Sequence, residues 1–265
     1  MRQKLFFFIF LLGVIPSLFG STVEEKLTYI PLDEKICMRK FFDFAIKLDQ
    51  AAHVLYFENK PMCLTGIVVK DRHRSFRDVL CLKGWRAFRK NEHLFEHPNF
   101  ILNECLSGND EFRVLDIYII NKPALTKCLQ KNICIFKECL GNRFTPEWFI
   151  TQLEEEHPIV SLINNNEMLL GILLGFGKEA SRAYQAAHDN DAREHVPEWS
   201  PTYYGIDSKR PKGCTIYPIA FMGNPLSCEV QNLICTYEKE LEIFWEYYQI
   251  KKDSLIVFLE CLCRE

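Results

Sequence analysis

The chain predicts an α+β fold, predominantly helical, with a small antiparallel or mixed sheet covered by amphipathic helices. Three observations carry this. Several segments repeat apolar residues at helical spacing, the run FRVLDIYII (Phe112 to Ile120) is rich in β-branched residues, and 48% hydrophobic content with 21 Phe suffices for a large core. The first twenty residues stand apart. Arg2 and Lys4 precede an apolar run from Leu5 to Phe19, and Gly20 and Ser21 supply small residues for cleavage, so residues 1–20 read as an export signal. The run is shorter than a bilayer span. Leu18 stands where cleavage prefers a small residue, so the alternative is an uncleaved N-terminal membrane anchor. The expected organisation is a signal over 1–20 and one α+β domain over 21–265, in the periplasm or secreted.

The elements follow in order. Asp33 is read as the cap of a helix through Leu48, carrying Ile36, Phe41, Phe42, Ala45 and Ile46. HVLYF (His53 to Phe57) and MCLTGIVV (Met62 to Val69), flanking Glu58, Asn59, Lys60 and Pro61, predict a β-hairpin. Arg74 to Lys90 is helical in composition, Asn99 to Leu106 is read as a shorter helix, and Phe112 to Ile120 as a central strand. Pro123 opens a helix through Leu140, ended by Gly141 and Asn142. Thr145, Pro146 and Glu147 supply a capping hydroxyl, an N1 proline and an acid at the positive helix end, starting a helix to Glu156. A longer helix runs from Asn165 or Asn166 to about Ala187. Asp189 to Arg210 is an irregular connection punctuated by prolines, and CTIYPIAF (Cys214 to Phe221) is an edge-strand candidate because of Pro218. Ser227 to Gln249 is the last long helix, and SLIVFLECL (Ser254 to Leu262) is a strand or a short helix.

Composition narrows the chemistry. The net charge is −3, and without Arg2 and Lys4 the chain keeps 30 Lys+Arg against 35 acids, so no global attraction to nucleic acid is expected. Twelve cysteines permit disulfides in an exported chain, though no pairing can be assigned. Cys81, Cys105, Cys128 and Cys139 sit among apolar residues at helix-core positions, where a free thiol behaves as a small hydrophobe.

Several segments form a recognisable series: Phe41-Phe42, LYFENKPM (Leu55 to Met62), IINKPAL (Ile119 to Leu125), LLGILLGFGKEASRAY (Leu169 to Tyr184), YPIAFMGNP (Tyr217 to Pro225) and NLICTYEKELEIF (Asn232 to Phe244). In this order they resemble an uncharacterised exported protein family of chlamydia-like intracellular bacteria. The chain departs from that family at Glu58-Asn59, where a glycine and an acid are usual, and at Ala180-Ser181, where the family continues into Asn and Ala. The resemblance implies a compartment and a fold and assigns no reaction.

Each chemical motif meets a structural alternative. Gly171, Gly175, Gly177 and Lys178 suggest a phosphate loop, but five residues separate Gly171 from Gly177 where four are needed, and Glu179 stands where a hydroxyl should. Close packing of Gly171 and Gly175 on one helix face is the expectation instead. His188, Asp191 and His195, with Asp189 and Glu194, are the weak metal candidates, since the histidines stand seven apart, beyond the one-turn spacing of zinc motifs. No nucleophile signature surrounds any Ser or Cys, no catalytic residue can be named, and no cofactor is expected. His93, His97, His157 and the run Glu154 to Glu156 read as surface groups.

Lys70 to Lys90 carries eight Lys/Arg against two Asp, interleaved with Phe76, Trp85 and Phe88. Such a helix docks on an anionic surface or acidic partner, or else turns its aromatic face to the core and its cations to water. The binding candidates are Arg72, Arg74, Arg77, Arg86 and Arg89, with Lys60 at the hairpin turn. The favoured reading is a non-catalytic factor binding a macromolecular partner or anionic surface, which requires one exposed basic patch. The alternative is a hydrolase or metal-dependent enzyme near residues 188–195, which requires those groups to converge around a pocket.

Overall fold

The computed structural model describes residues 22–71, 74–189, 211–219, 221, 223, 224 and 226–264. The segment expected to be an export signal, residues 1–20, lies outside the described residues. Three strands form one antiparallel sheet in the order β1-β3-β2: β1 (Met62–Lys70), β2 (Phe100–Gly108) and β3 (Arg113–Asn121). The Phe112 to Ile120 expectation of a central strand holds. Alternation along β3 sends Ile117 and Ile119 to one face and Tyr118 and Ile120 to the other. Both faces are covered by helices, so the sheet parts two apolar cores.

On the first face pack α1 (Val23–Leu27), α2 (Leu32–Lys47), α3 (Ala51–Tyr56) and α4 (Phe76–Asn91), joined by α11 (Cys228–Lys251) and α12 (Ser254–Leu262). Phe42 is the hub: it stacks on Phe258 at 3.9 Å and meets Phe41 and Phe88 edge-on. On the second face lie α5 (Lys122–Lys131), α6 (Ile133–Leu140), α7 (Pro146–Glu154), α8 (Ile159–Leu162) and α9 (Glu167–Leu173), around Phe136, Phe144 and Phe149. A third, smaller cluster joins α10 (Lys178–Asp189) to α11 through Ala180, Val230 and Tyr237. No helix among the described residues is long and apolar enough to cross a membrane.

Several expectations are corrected. His53 to Phe57 is not a hairpin strand: His53 to Tyr56 belong to α3, with Phe57 as its C-cap, and His53, Val54 and Leu55 are buried; a short run without polar alternation carries no period to tell strand from helix. Asn99 to Leu106 is strand β2, whose residues Ile101 and Cys105 face one core and Phe100 and Leu102 the other. Its turn into β3 is held by Asn109, whose Oδ1 accepts from the Glu111 and Phe112 N–H groups at 2.9 and 3.0 Å. The true hairpin is therefore β2–β3.

The helix expected from Pro123 to Leu140 breaks at Asn132, which serves as both end of α5 and start of α6. The helix expected from Asn165 to Ala187 breaks between Leu173 and Lys178, where Gly175 and Gly177 take φ +80 and +82. Gly171 does pack closely, against Ser181, but Gly175 lies in the break and not on a helix face. No strand forms among the described residues of Cys214 to Phe221, where Phe221 makes only an isolated bridge. Ser254 to Leu262 resolves as helix, capped by the Asp253 carboxylate at the Leu255 N–H. The first long helix starts at Leu32 behind Pro31, and Asp33 sits inside its first turn. No disulfide joins the twelve cysteines among the described residues, and Cys105 lies on a strand and not in a helix.

Candidate functional site

The outer faces of α2 and α4 form the exposed basic surface. Ser75 caps α4 by accepting from the Asp78 N–H at 3.1 Å. At 100° per residue Phe76, Val79, Lys83, Arg86 and Lys90 share the side opposite Trp85 and Phe88, which are buried. Helix α2 runs antiparallel beside it, since Lys90 pairs with Glu34 at 2.6 Å at one end and Arg77 lies over the Phe44 ring at 4.6 Å at the other. Gly84 faces Cys37 and Phe41 at the crossing, which brings Lys40 level with Lys83. Three large apolar side chains are exposed on these helices: Phe76 at 76%, Leu32 at 69% and Ile36 at 47%.

The candidate cations fare differently. Arg77 and Arg86 are exposed. Arg74, just before α4, is turned onto its first turn, donating to the Asp78 carbonyl at 3.4 Å. Arg89 is bound among Glu92 at 2.5 Å, Glu104 at 3.0 Å and Glu156 at 3.5 Å. Arg72 lies outside the described residues. Lys40, Lys83 and Arg86 have no ion pair among the described residues, so they carry the uncompensated charge of the face. Asp191 and His195 lie outside the described residues, as does the side chain of His188.

Lys60 is not a surface contact, which corrects its reading as a turn-tip cation: it is wholly buried. Its ammonium donates to the Leu174 carbonyl and sits 5.0 and 5.9 Å from the Phe176 and Tyr237 ring centres. Burial draws its pKa down to about 8, with Cys63 and Glu240 pulling the other way. Beside it, His53 Nδ1–H donates to Glu240 Oε2 at 2.9 Å, and the Asn59 amide donates to Glu240 Oε1 at 2.6 Å. Burial favours the neutral imidazole, against the hydrogen bond to Glu240. His53 Nε2 is buried without a hydrogen-bond partner among the described residues. A carboxylate-oriented imidazole with a free Nε2 is the arrangement of a general base, but this ring is 1% exposed and no hydroxyl or thiol is hydrogen-bonded to it.

The network walls a cleft of about 580 Å³ between α5, α11 and the turn before α10. Asn59, Gly175 and Tyr237 belong to both. Tyr237 Oη–H donates to the Gly175 carbonyl at 2.7 Å, so Lys60 and Tyr237 together pin the turn at Leu174 and Gly175. The start of α10, where the phosphate-loop motif was sought, is already filled: Glu229 accepts from the Lys178 and Glu179 N–H groups at 3.1 and 2.8 Å. A wider concavity around Arg89, Glu92 and His97 is a surface ion cluster, in which Glu92 holds the His97 imidazole above its ordinary range.

His53, Glu240 and Tyr237 went unmarked by sequence reasoning. One signal existed: Glu240 falls on the apolar stripe Tyr237, Leu241, Phe244 and Tyr248, where an acid needs a buried partner. No protein-family model, curated protein or solved structure matches this chain.

Proposed function

We propose that the protein is an exported, non-catalytic binding factor that docks through the outer faces of α2 and α4 on an anionic membrane surface. The carrying observation is the juxtaposition of unpaired, exposed Lys83 and Arg86 with Phe76, exposed at 76% on the same helix face. Cations draw an anionic headgroup plane while an aromatic side chain enters the interface beneath it. Leu32, Ile36 and Lys40 extend the same chemistry onto α2. Export rests on the charged start and apolar run of residues 1–20 and on the family resemblance.

Co-sedimentation with vesicles tests this. Vesicles rich in phosphatidylglycerol are expected to carry the protein down, pure phosphatidylcholine vesicles to leave it in solution, and added salt to release it. The charge reversal K83E/R86E is expected to abolish sedimentation, and F76S to weaken it. Equal binding to both vesicle types, or none to either, sinks the membrane reading.

A further inference from the structure

We propose that the cleft between α5 and α11 is a binding site for a small organic anion, a carboxylate or phosphate monoester on a short apolar body, anchored by Lys131 and Lys178. The inference is independent of the membrane-docking face, and begins from which charges in the cleft are already used. Its two acids are committed: Glu58 pairs with Lys127, and Glu229 is taken up by the backbone N–H groups that open α10. What remains is positive. Lys131 at the end of α5 and Lys178 at the start of α10 line the cleft from different elements, are exposed, and have no ion pair among the described residues.

The Lys60 ammonium lies behind the wall beneath Gly175, but Glu240 stands beside it, so the charge that faces the cleft is that of Lys131 and Lys178. The floor has the opposite character. Ala124, Ile172, Leu233 and the buried face of Cys128 give an apolar bed, and Asn232 and Thr236 offer neutral polar groups at the rim. At about 580 Å³ the space suits a small molecule and not a polymer. A cation is disfavoured because no carboxylate is free to meet it, and a wholly apolar ligand would leave the two ammonium groups unanswered.

Calorimetric titration of the full chain with three probes of one apolar body tests this: octanoate, octyl phosphate and octylamine. One-to-one binding of either anion with none of octylamine is expected, and the stronger of the two anions identifies the headgroup. The charge reversal K131E/K178E is expected to weaken the anion by about tenfold, with an unchanged far-ultraviolet spectrum and unfolding midpoint. T236W, which fills the rim from a half-buried position on α11, is expected to block it. Octylamine binding as tightly as octanoate overturns the proposal, as does anion binding untouched by both variants or absent at millimolar probe.

Discussion

Lys60 and Asp49 each hold an ionisable group out of water, and titration exposes them in opposite directions. Folding lowers the Lys60 pKa from 10.5 to about 8, so between those values the unfolded chain holds more protons and Lys60's contribution to stability rises with pH. Below pH 8 the penalty is fully present. In K60M the Leu174 carbonyl loses its donor and Glu240 a neighbouring cation, so a loss of about 2–4 kcal/mol is expected in urea unfolding at pH 7, growing between pH 8 and 10. E240Q should cost less in K60M than in the wild type, the mark of coupled groups. For Asp49, burial raises the pKa from 3.8 to about 7 against the smaller pulls of Thr65 and Arg77, and Oδ2 makes no hydrogen bond among the described residues. The folded chain then holds more protons between 3.8 and 7, so its contribution to stability falls as pH rises through that window. D49N is therefore expected to stabilise by about 1–2 kcal/mol at pH 8 and to give no gain near pH 4. An unchanged difference across that range would show that Asp49 does not titrate with folding.

Among elements, close approach and chain reversal set the limits. A Cβ on Gly84 would fall within contact distance of the Cys37 carbonyl and lie 2.9 Å from Phe41 Cβ, so G84A is expected to force α2 and α4 apart at a cost of about 1–3 kcal/mol. Thermal unfolding measures it. In the break before α10, G175A meets both a φ of +80 and the Tyr237 hydroxyl, and should destabilise while Y237F relieves part of the clash. The elements legible in sequence were those with local chemistry: the hydroxyl caps Thr145 and Ser227, and the β-branched run of β3. Those misread were decided at a distance. β2 is a strand because β3 is there to pair with it, and α3 is a helix although HVLYF lacks a period, because β1 pairs with β3 instead. The basic face of α4 was visible as charge with aromatic spacing, but which cations stayed free depended on Glu34 from α2 and Glu104 from β2. The cleft was illegible because its walls come from residues 58–61, 124–132, 172–178 and 229–237.

Across the whole molecule, the sheet gives each core one face of the same three strands, yet the cores differ in how the chain fills them. The second core is assembled from residues near one another in sequence, from Met62 to Leu173. The first takes Leu255, Val257, Phe258, Leu259 and Leu262 from α12, far downstream of the α2 residues they meet. A chain ending at Lys252 is expected to keep helical content but lose the near-ultraviolet signal of packed aromatics and bind a hydrophobic dye. Retention of that signal would show that α12 is dispensable. The stacking of Phe258 on Phe42 also sets an order in time. A ribosome that has made Phe42 must add more than roughly two hundred residues before its partner exists, so the first core stays open through most of the chain's synthesis. A chain in that condition can still be threaded through a narrow channel.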